Sequence, residues 1–413
     1  MHANELALHL RALREADTNA RADAAAVLGY ARSRLGDIVR VLREALRDRS
    51  PAVRCECALS LGRLGVAARP AIDDLGVALS DHSESVRCAA AEALASAGTR
   101  ALPAVVRAMR AKSSRSRAAA CLALLCMNED SSKSMTDRAS TVLHPSAKLL
   151  SDRSPAVRKA AAQLLGSFGK HALPALSELI HALEDPYPSV RTVTATAIGH
   201  LGIRARASIA RLQDLLKDDD PFVRLAAARA LWRVTKDPRR SVPVLVTSLG
   251  SRDSDVRSIA ASHLGDLRAS SGPAVSGLAT ALRDADREVR IQAMRALGKI
   301  GADGDPNLLR ALTTLVNDSD PLIRAECATV VGRVRAPSRI RLRILVSLIR
   351  SMDAYVTCAA ARALGKLGRS AASALPVLRR AFHEQGREVR RDVDRAIRNI
   401  VSVPTESPNA PRQ

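Results

Sequence analysis

Apolar and polar positions alternate along this chain in blocks rather than residue by residue. Through stretches such as Pro174-Ala175-Leu176-Ser177-Glu178-Leu179-Ile180-His181-Ala182-Leu183, apolar residues fall three or four places apart, the spacing of one helix face. A polar turn then follows, as in Asp48-Arg49-Ser50-Pro51-Ala52-Val53-Arg54, and a second helical stretch begins. Its apolar or small residues lie three, four, seven and eight places beyond the arginine. Cys57, Ala58, Leu61 and Gly62 hold those places in one block, and Ala293, Met294, Leu297 and Gly298 in another. Pro70, Pro103, Pro174, Pro243, Pro273 and Pro376 predict starts of first helices, where an amide needs no partner. Ser50, Ser154, Asp220 and Asp320 each precede a proline and predict N-caps of second helices. Gly65, Gly98, Gly169, Gly202, Gly301 and Gly368 predict where second helices stop.

The block recurs. Arg54, Arg87, Arg158, Arg191, Arg224, Arg257, Arg290, Arg324 and Arg390 share one setting, with separations of 33, 71, 33, 33, 33, 33, 34 and 66 residues. Arg21, Arg117 and Thr357 keep the register with a weaker motif. That makes about twelve repeats with one slip of eight residues, between Arg117 and Arg158. A fixed period of this length means a stacked array in which each hairpin buries its apolar face against its neighbours. Six residues before the motif arginine stands an aspartate: Asp48 for Arg54, Asp81 for Arg87, Asp152 for Arg158, Asp185 for Arg191, Asp218 for Arg224, Asp284 for Arg290 and Asp318 for Arg324, with Glu384 before Arg390. The expectation is an Asp–Arg ladder running from repeat to repeat, its arginines partly buried and tolerated because they are paired. Thr357 and Ser351 replace both partners of one rung together. The third repeat is degenerate, and an insertion is expected as a polar loop near 127–137.

The D-x-x-x-x-V-R turn, the A-A-x-x-L-G-x-L-G second helix and the A-x-P-A start of the first helix resemble HEAT-type repeats, in the short form named after phycobilisome lyases. The likeness covers about residues 4–401. It implies an all-α, right-handed α-solenoid of about twelve HEAT-like helical hairpins, a single domain over 1–401 followed by a disordered tail over 402–413. It also implies that second helices line a concave surface. The ankyrin signature T-P-L-H-x-A is missing, as is the tetratricopeptide pattern of Trp, Gly and Tyr; the one tryptophan is Trp232.

Composition sharpens this picture. Hydrophobic residues make up 47% of the 413 and aromatics only 2%, so Ala, Leu, Val and Ile must fill a core of thin helix layers. No run approaches the roughly 20 apolar residues of a membrane helix, and Met1-His2-Ala3-Asn4-Glu5 does not open a secretory signal. A cytoplasmic monomer without membrane contact is the expectation. Cys55, Cys57, Cys88, Cys121, Cys126, Cys327 and Cys358 replace Ala, Ser or Thr of other repeats and read as packing residues.

The net charge of +22 invites an acidic partner. Ladder arginines are discounted, which leaves two columns. One lies five and nine places after the motif position on the second helix: Arg229 and Arg233, Arg295 and Lys299, Arg362 and Lys366, with single members Arg63, Arg333 and Arg395. With the resemblance, this column becomes a basic stripe on the concave face. The other lies between repeats: Arg69, Arg100, Lys170, Arg204, Arg206, Arg239, Arg240, Arg268, Arg335, Arg339 and Arg369.

Catalytic signatures are missing. There is no Gly-rich phosphate loop, no G-x-S-x-G and no H-E-x-x-H, and one His-Glu dipeptide, His383-Glu384, cannot supply an iron site of the kind held by HEAT-like hydroxylases. No catalytic residue, metal or cofactor is assigned. The reading is a non-enzymatic scaffold for protein–protein interaction, with an acidic partner on the concave face. The alternatives are a protein binding the phosphate backbone of duplex nucleic acid, and an accessory phycobilin-lyase-like or other modification protein.

Overall fold

The structure, a computed structural model, describes residues 3–15, 17–129, 135–268, 272–300, 306–334, 337–351 and 353–401. Gly301, Arg335 and the tail expected over 402–413 lie outside the described residues. So do residues 130–134 of the expected loop. Helices Ser114–Glu129 and Met135–Lys148 flank them, so the segment expected as loop over 127–137 is largely helix at both ends.

The described residues are helical and hold no strand. They form hairpins of consecutive helices in two compact units, Met1–Lys236 and Asp237–Gln413. The first unit carries seven hairpins, from Ala3–Glu15 with Thr18–Leu28 to Gly202–Asp214 with Pro221–Thr235. The second carries five, from Ser241–Ser248 with Ser254–Asp266 to Gly368–Glu384 with Arg387–Val401. Within each unit this is an all-α solenoid.

The local rules are visible in each hairpin. First helices commonly open as a 3-10 turn, for example Gly65–Ala71 before Ile72–Ala78 and Gly169–Ala175 before Leu176–Ala182. Pro70 and Pro174 therefore sit inside 3-10 turns, not at the first α-helical position as expected. The glycine that starts the turn takes positive φ, 54° at Gly65 and 64° at Gly202, which side chains adopt at a cost. At the other end of the hairpin, Asp220 accepts from the Phe222 and Val223 amides and Asp320 from Leu322, as N-caps do. Ser50 and Ser154 occupy the same position but make no side-chain cap bond.

Packing follows the repeat. The branched apolar residue before the motif position (Val53, Val86, Val157, Val190, Val223, Val256, Val289, Ile323, Val356, Val389) is buried in each of these ten repeats. So are Cys57, Ala58 and Leu61, and Ala293, Met294 and Leu297. Second helices of successive hairpins pack through a glycine set against an alanine. A Cβ built on Gly62 would lie 3.1 Å from Ala93 Cα, one on Gly166 3.0 Å from Ala197 Cα, and one on Gly265 2.7 Å from Ala296 Cα. A core this poor in aromatics reaches close-packed density by bringing backbones together. The buried thiols of Cys121 and Cys327 are pushed up to about 12 by burial, which keeps them protonated packing groups.

Candidate partner-binding surface

The motif arginine lies in the first turn of the second helix, where Nη1 points back across the interhelical turn. In Arg54 it donates to the Asp48 carbonyl at 2.8 Å and the Arg49 carbonyl at 3.2 Å. Arg158 does the same to Asp152 and Arg153, Arg191 to Asp185 and Pro186, Arg224 to Asp218 and Asp219, and Arg324 to Asp318 and Ser319. The aspartate six residues earlier thus contributes its carbonyl, and its carboxylate is not the side-chain partner expected from sequence.

That carboxylate belongs to the preceding repeat. Arg54 Nε and Nη2 donate to Asp81 at 2.7 and 2.8 Å, and Arg158 to Asp185 at 2.5 and 2.9 Å. Arg21–Asp48, Arg117–Asp152, Arg191–Asp218 and Arg257–Asp284 are built alike. Arg290 reaches Asp318 at 3.4 Å and Arg324 reaches Asp353 at 3.9 Å. The correction to the expected pairing is one of register: the carboxylate is 27 residues beyond its arginine in the regular rungs, 28 for Arg290 and 29 for Arg324, and 35 where the eight-residue insertion intervenes. The same aspartate Oδ1 accepts the amide two residues on, such as Ser50 for Asp48 and Tyr187 for Asp185. Burial pushes these carboxyls up, but the arginine hydrogen bonds, the turn amides and the nearby guanidiniums outweigh it and hold Asp48, Asp81, Asp152, Asp185 and Asp218 below the usual carboxylate range. At Asp284 the Arg257 hydrogen bond is the largest influence and acts in the same direction.

Ser351 is not the lost partner of a broken rung, as its spacing implied. Asp353 takes that place toward Arg324, and Gln385 Nε2 donates to Thr357 Oγ1 at 3.2 Å, a neutral pair in place of an ionic one. Glu384 pairs with Arg380, and Arg390 Nε donates to the Gln385 carbonyl.

The second-helix column expected to carry the partner is largely engaged within the solenoid. Arg295 meets Glu326 at 3.2 Å, Lys299 meets Asp266 at 2.9 Å and Arg362 meets Asp392 at 2.6 Å. Arg229 and Arg233 are partly buried and have interactions of their own. Arg333, Lys366 and Arg395 are exposed, with no ion pair among the described residues. These counter-ions were missed because the columns were read along one helix. Asp266 lies nine places after its own motif arginine, level with Lys299 in the next repeat, and Glu326 and Asp392 each lie two places after theirs. Aligning the repeats side by side reveals the pairing.

The cations between repeats differ. In the first unit Arg69, Arg100, Lys170, Arg204 and Arg206 sit on the glycine-led 3-10 turns, all exposed and without an ion pair among the described residues. In the second unit Arg240, Arg268, Arg339 and Arg369 are exposed, and Arg239 pairs with Asp237.

Among the described residues no helix is long and apolar enough to cross a membrane. A comparison with curated proteins finds no match. Among solved structures, yeast importin-beta (Kap95p) is similar with a TM-score of 0.63 at 14% identity, over 97% of this chain and 64% of that one. The karyopherin Kap121p, bound to the SUMO protease Ulp1p, gives 0.57 at 14% identity over 92% of this chain and 47% of that one. The chain therefore spans about half to two thirds of the length of these karyopherins, and at such identity the likeness is one of fold. The family described as HEAT repeats matches residues 6–76, 176–265, 242–316, 275–342 and 309–398, and that of the single HEAT repeat matches 147–172. Both matches fall on the helical hairpins and take in more than half of the sequence: the chain belongs to the HEAT-repeat family.

Proposed function

We propose that this protein is a non-enzymatic scaffold that binds an acidic protein partner. The observation that carries this reading is the row of unpaired cations on the inter-repeat turns, Arg69, Arg100, Lys170, Arg204 and Arg206. Packed helix layers stand about 8–10 Å apart, a spacing that matches carboxylates spread along an extended segment. Arg333, Lys366 and Arg395 on second helices would add contacts. Arg295, Lys299 and Arg362 serve first as inter-repeat ties. Partner binding by Kap121p, on the same fold, is consistent with this role. In this reading residues 1–401 act as one array in the cytoplasm, and the likeness to the phycobilisome-lyase class is one of repeat length, without a catalytic role.

The test is a titration with a labelled Glu-rich peptide and, separately, a duplex oligonucleotide, across a salt series. The peptide is expected to bind. Changing Arg69, Arg100, Arg204 and Arg206 to Ser should weaken it by about tenfold or more, roughly 1.4 kcal/mol. Changing Arg295, Lys299 and Arg362 to Ser should chiefly lower thermal stability. Tight, salt-dependent duplex binding with no peptide binding would replace this reading by the nucleic-acid one.

A further inference from the structure

Two ladder arginines of the first unit, Arg87 and Arg224, are set like their neighbours but meet no carboxylate among the described residues. Six residues before Arg257 stands Ser251, whose hydroxyl still accepts the Asp253 amide at 3.2 Å, whereas the rung of Arg87 lacks even that oxygen. Arg87 Nη1 donates to the Asp81 carbonyl at 2.9 Å and the His82 carbonyl at 3.0 Å, the contacts that orient Arg54 and Arg158. In those rungs Nε and Nη2 then reach the aspartate six residues before the next motif arginine. Six residues before Arg117 stands Ala111. The outer fork of Arg87 has no acceptor among the described residues.

The same replacement leaves a second donor without its acceptor. The Ser50, Ser83, Ser154 and Tyr187 amides each donate to the aspartate two residues earlier, at 2.8 to 2.9 Å. Ser113 follows Ala111 by two and has no such oxygen. In a filled rung, one carboxylate takes both: Asp81 Oδ1 accepts from Arg54 Nη2 and from the Ser83 amide. Beside Arg87 lies a recess of about 250 Å³ whose lining includes Glu84, Ser114 and Arg115. Glu84 makes no ion pair with Arg87. Lys112 and Arg115 are exposed, and Arg115 Nη1 lies 2.9 Å from His82 Nδ1.

We propose that Arg87 and the Ser113 amide form an open rung, which receives the carboxylate of an Asp or Glu side chain presented by an acidic protein partner. The geometry favours a carboxylate because the fork is already fixed from behind and a planar bidentate acceptor completes it. The idea rests on the acidic-partner reading and adds to it one stereospecific contact, at the opposite end of the helices from the inter-repeat turns.

Ala111→Asp supplies the missing carboxylate from within. It should raise the thermal midpoint, by closing the rung, and weaken binding of a labelled hexaglutamate peptide by about tenfold at physiological salt. Arg87→Gln should weaken the peptide similarly. Gln163→Glu, an exposed change of the same charge, should alter it less than about twofold, as a small fraction of a net +22. The open rung is overturned if Ala111→Asp behaves like Gln163→Glu, or if it lowers the midpoint. Peptide binding lost in the Arg69, Arg100, Arg204, Arg206 variant but kept in Ala111→Asp would leave the acidic-partner reading standing without the open rung. No peptide binding by the unaltered chain would remove both. Loss of duplex binding in Ala111→Asp with peptide binding intact would make the ligand a phosphate and overturn the carboxylate assignment.

Discussion

Arg158 ties three pieces of chain together. It holds its own turn through two carbonyls, it clasps Asp185 of the next hairpin, and Asp185 in turn fixes the Tyr187 amide. The two side chains are 11% and 5% exposed, so the pair is shielded from solvent. Removing one partner leaves the other charge partly buried and unpaired. Asp185→Ala is therefore expected to cost about 3 kcal/mol in urea unfolding, well beyond a surface pair such as Arg14–Glu44, whose loss should cost under about 1 kcal/mol. The rungs also set the acid response. Their carboxyls have lowered folded values, so their contribution is present above the unfolded value of about 3.9 and is lost as pH falls through the folded values. The thermal midpoint should stay level from about pH 5 upward as far as these groups are concerned and fall steeply below about pH 4. A midpoint insensitive to acid would contradict the ladder as a stabilising device.

At the scale of the helix, the second helices are held at close range by glycine facing alanine. Gly265→Ala tests this with opposing terms. Alanine gains about 1 kcal/mol of helix propensity over glycine. Its Cβ would stand 2.7 Å from Ala296 Cα and 2.9 Å from Ala296 Cβ, and backbone cannot yield as a flexible side chain does. Overpacking of this kind costs about 1 to 3 kcal/mol, so the net change in thermal unfolding should be destabilising. Gly36→Ala, on a first helix with nothing within 4 Å, should be neutral or stabilising. The helices themselves and their core faces were legible in the chain, because apolar spacing is a local property. The caps were less so. Asp220 and Asp320 bond the first turn while Ser50 and Ser154, at the same place beside the same proline, do not.

Across the whole molecule the chain is a series of nearest-neighbour contacts within each unit. A broken rung should therefore open its own surroundings rather than the entire fold. In native-state hydrogen exchange, Asp185→Ala is expected to speed exchange in Pro155–Ser167 and Pro188–Leu201 and leave Arg387–Val401 unchanged; a uniform increase would mean the array unfolds as one cooperative body. The net charge is a property of the whole molecule too, yet its sum of +22 does not tell which cations are available. Arg295, Lys299 and Arg362 looked free on one helix and are paired across two. By itself the sequence determined the hairpins, their number, their buried faces and the presence of a ladder, since each follows from spacing within one repeat. Tertiary structure alone decided which aspartate meets which arginine and which cations face solvent, because those partners lie on neighbouring repeats, about 30 residues apart in the chain and brought within hydrogen-bond reach only when the hairpins stack.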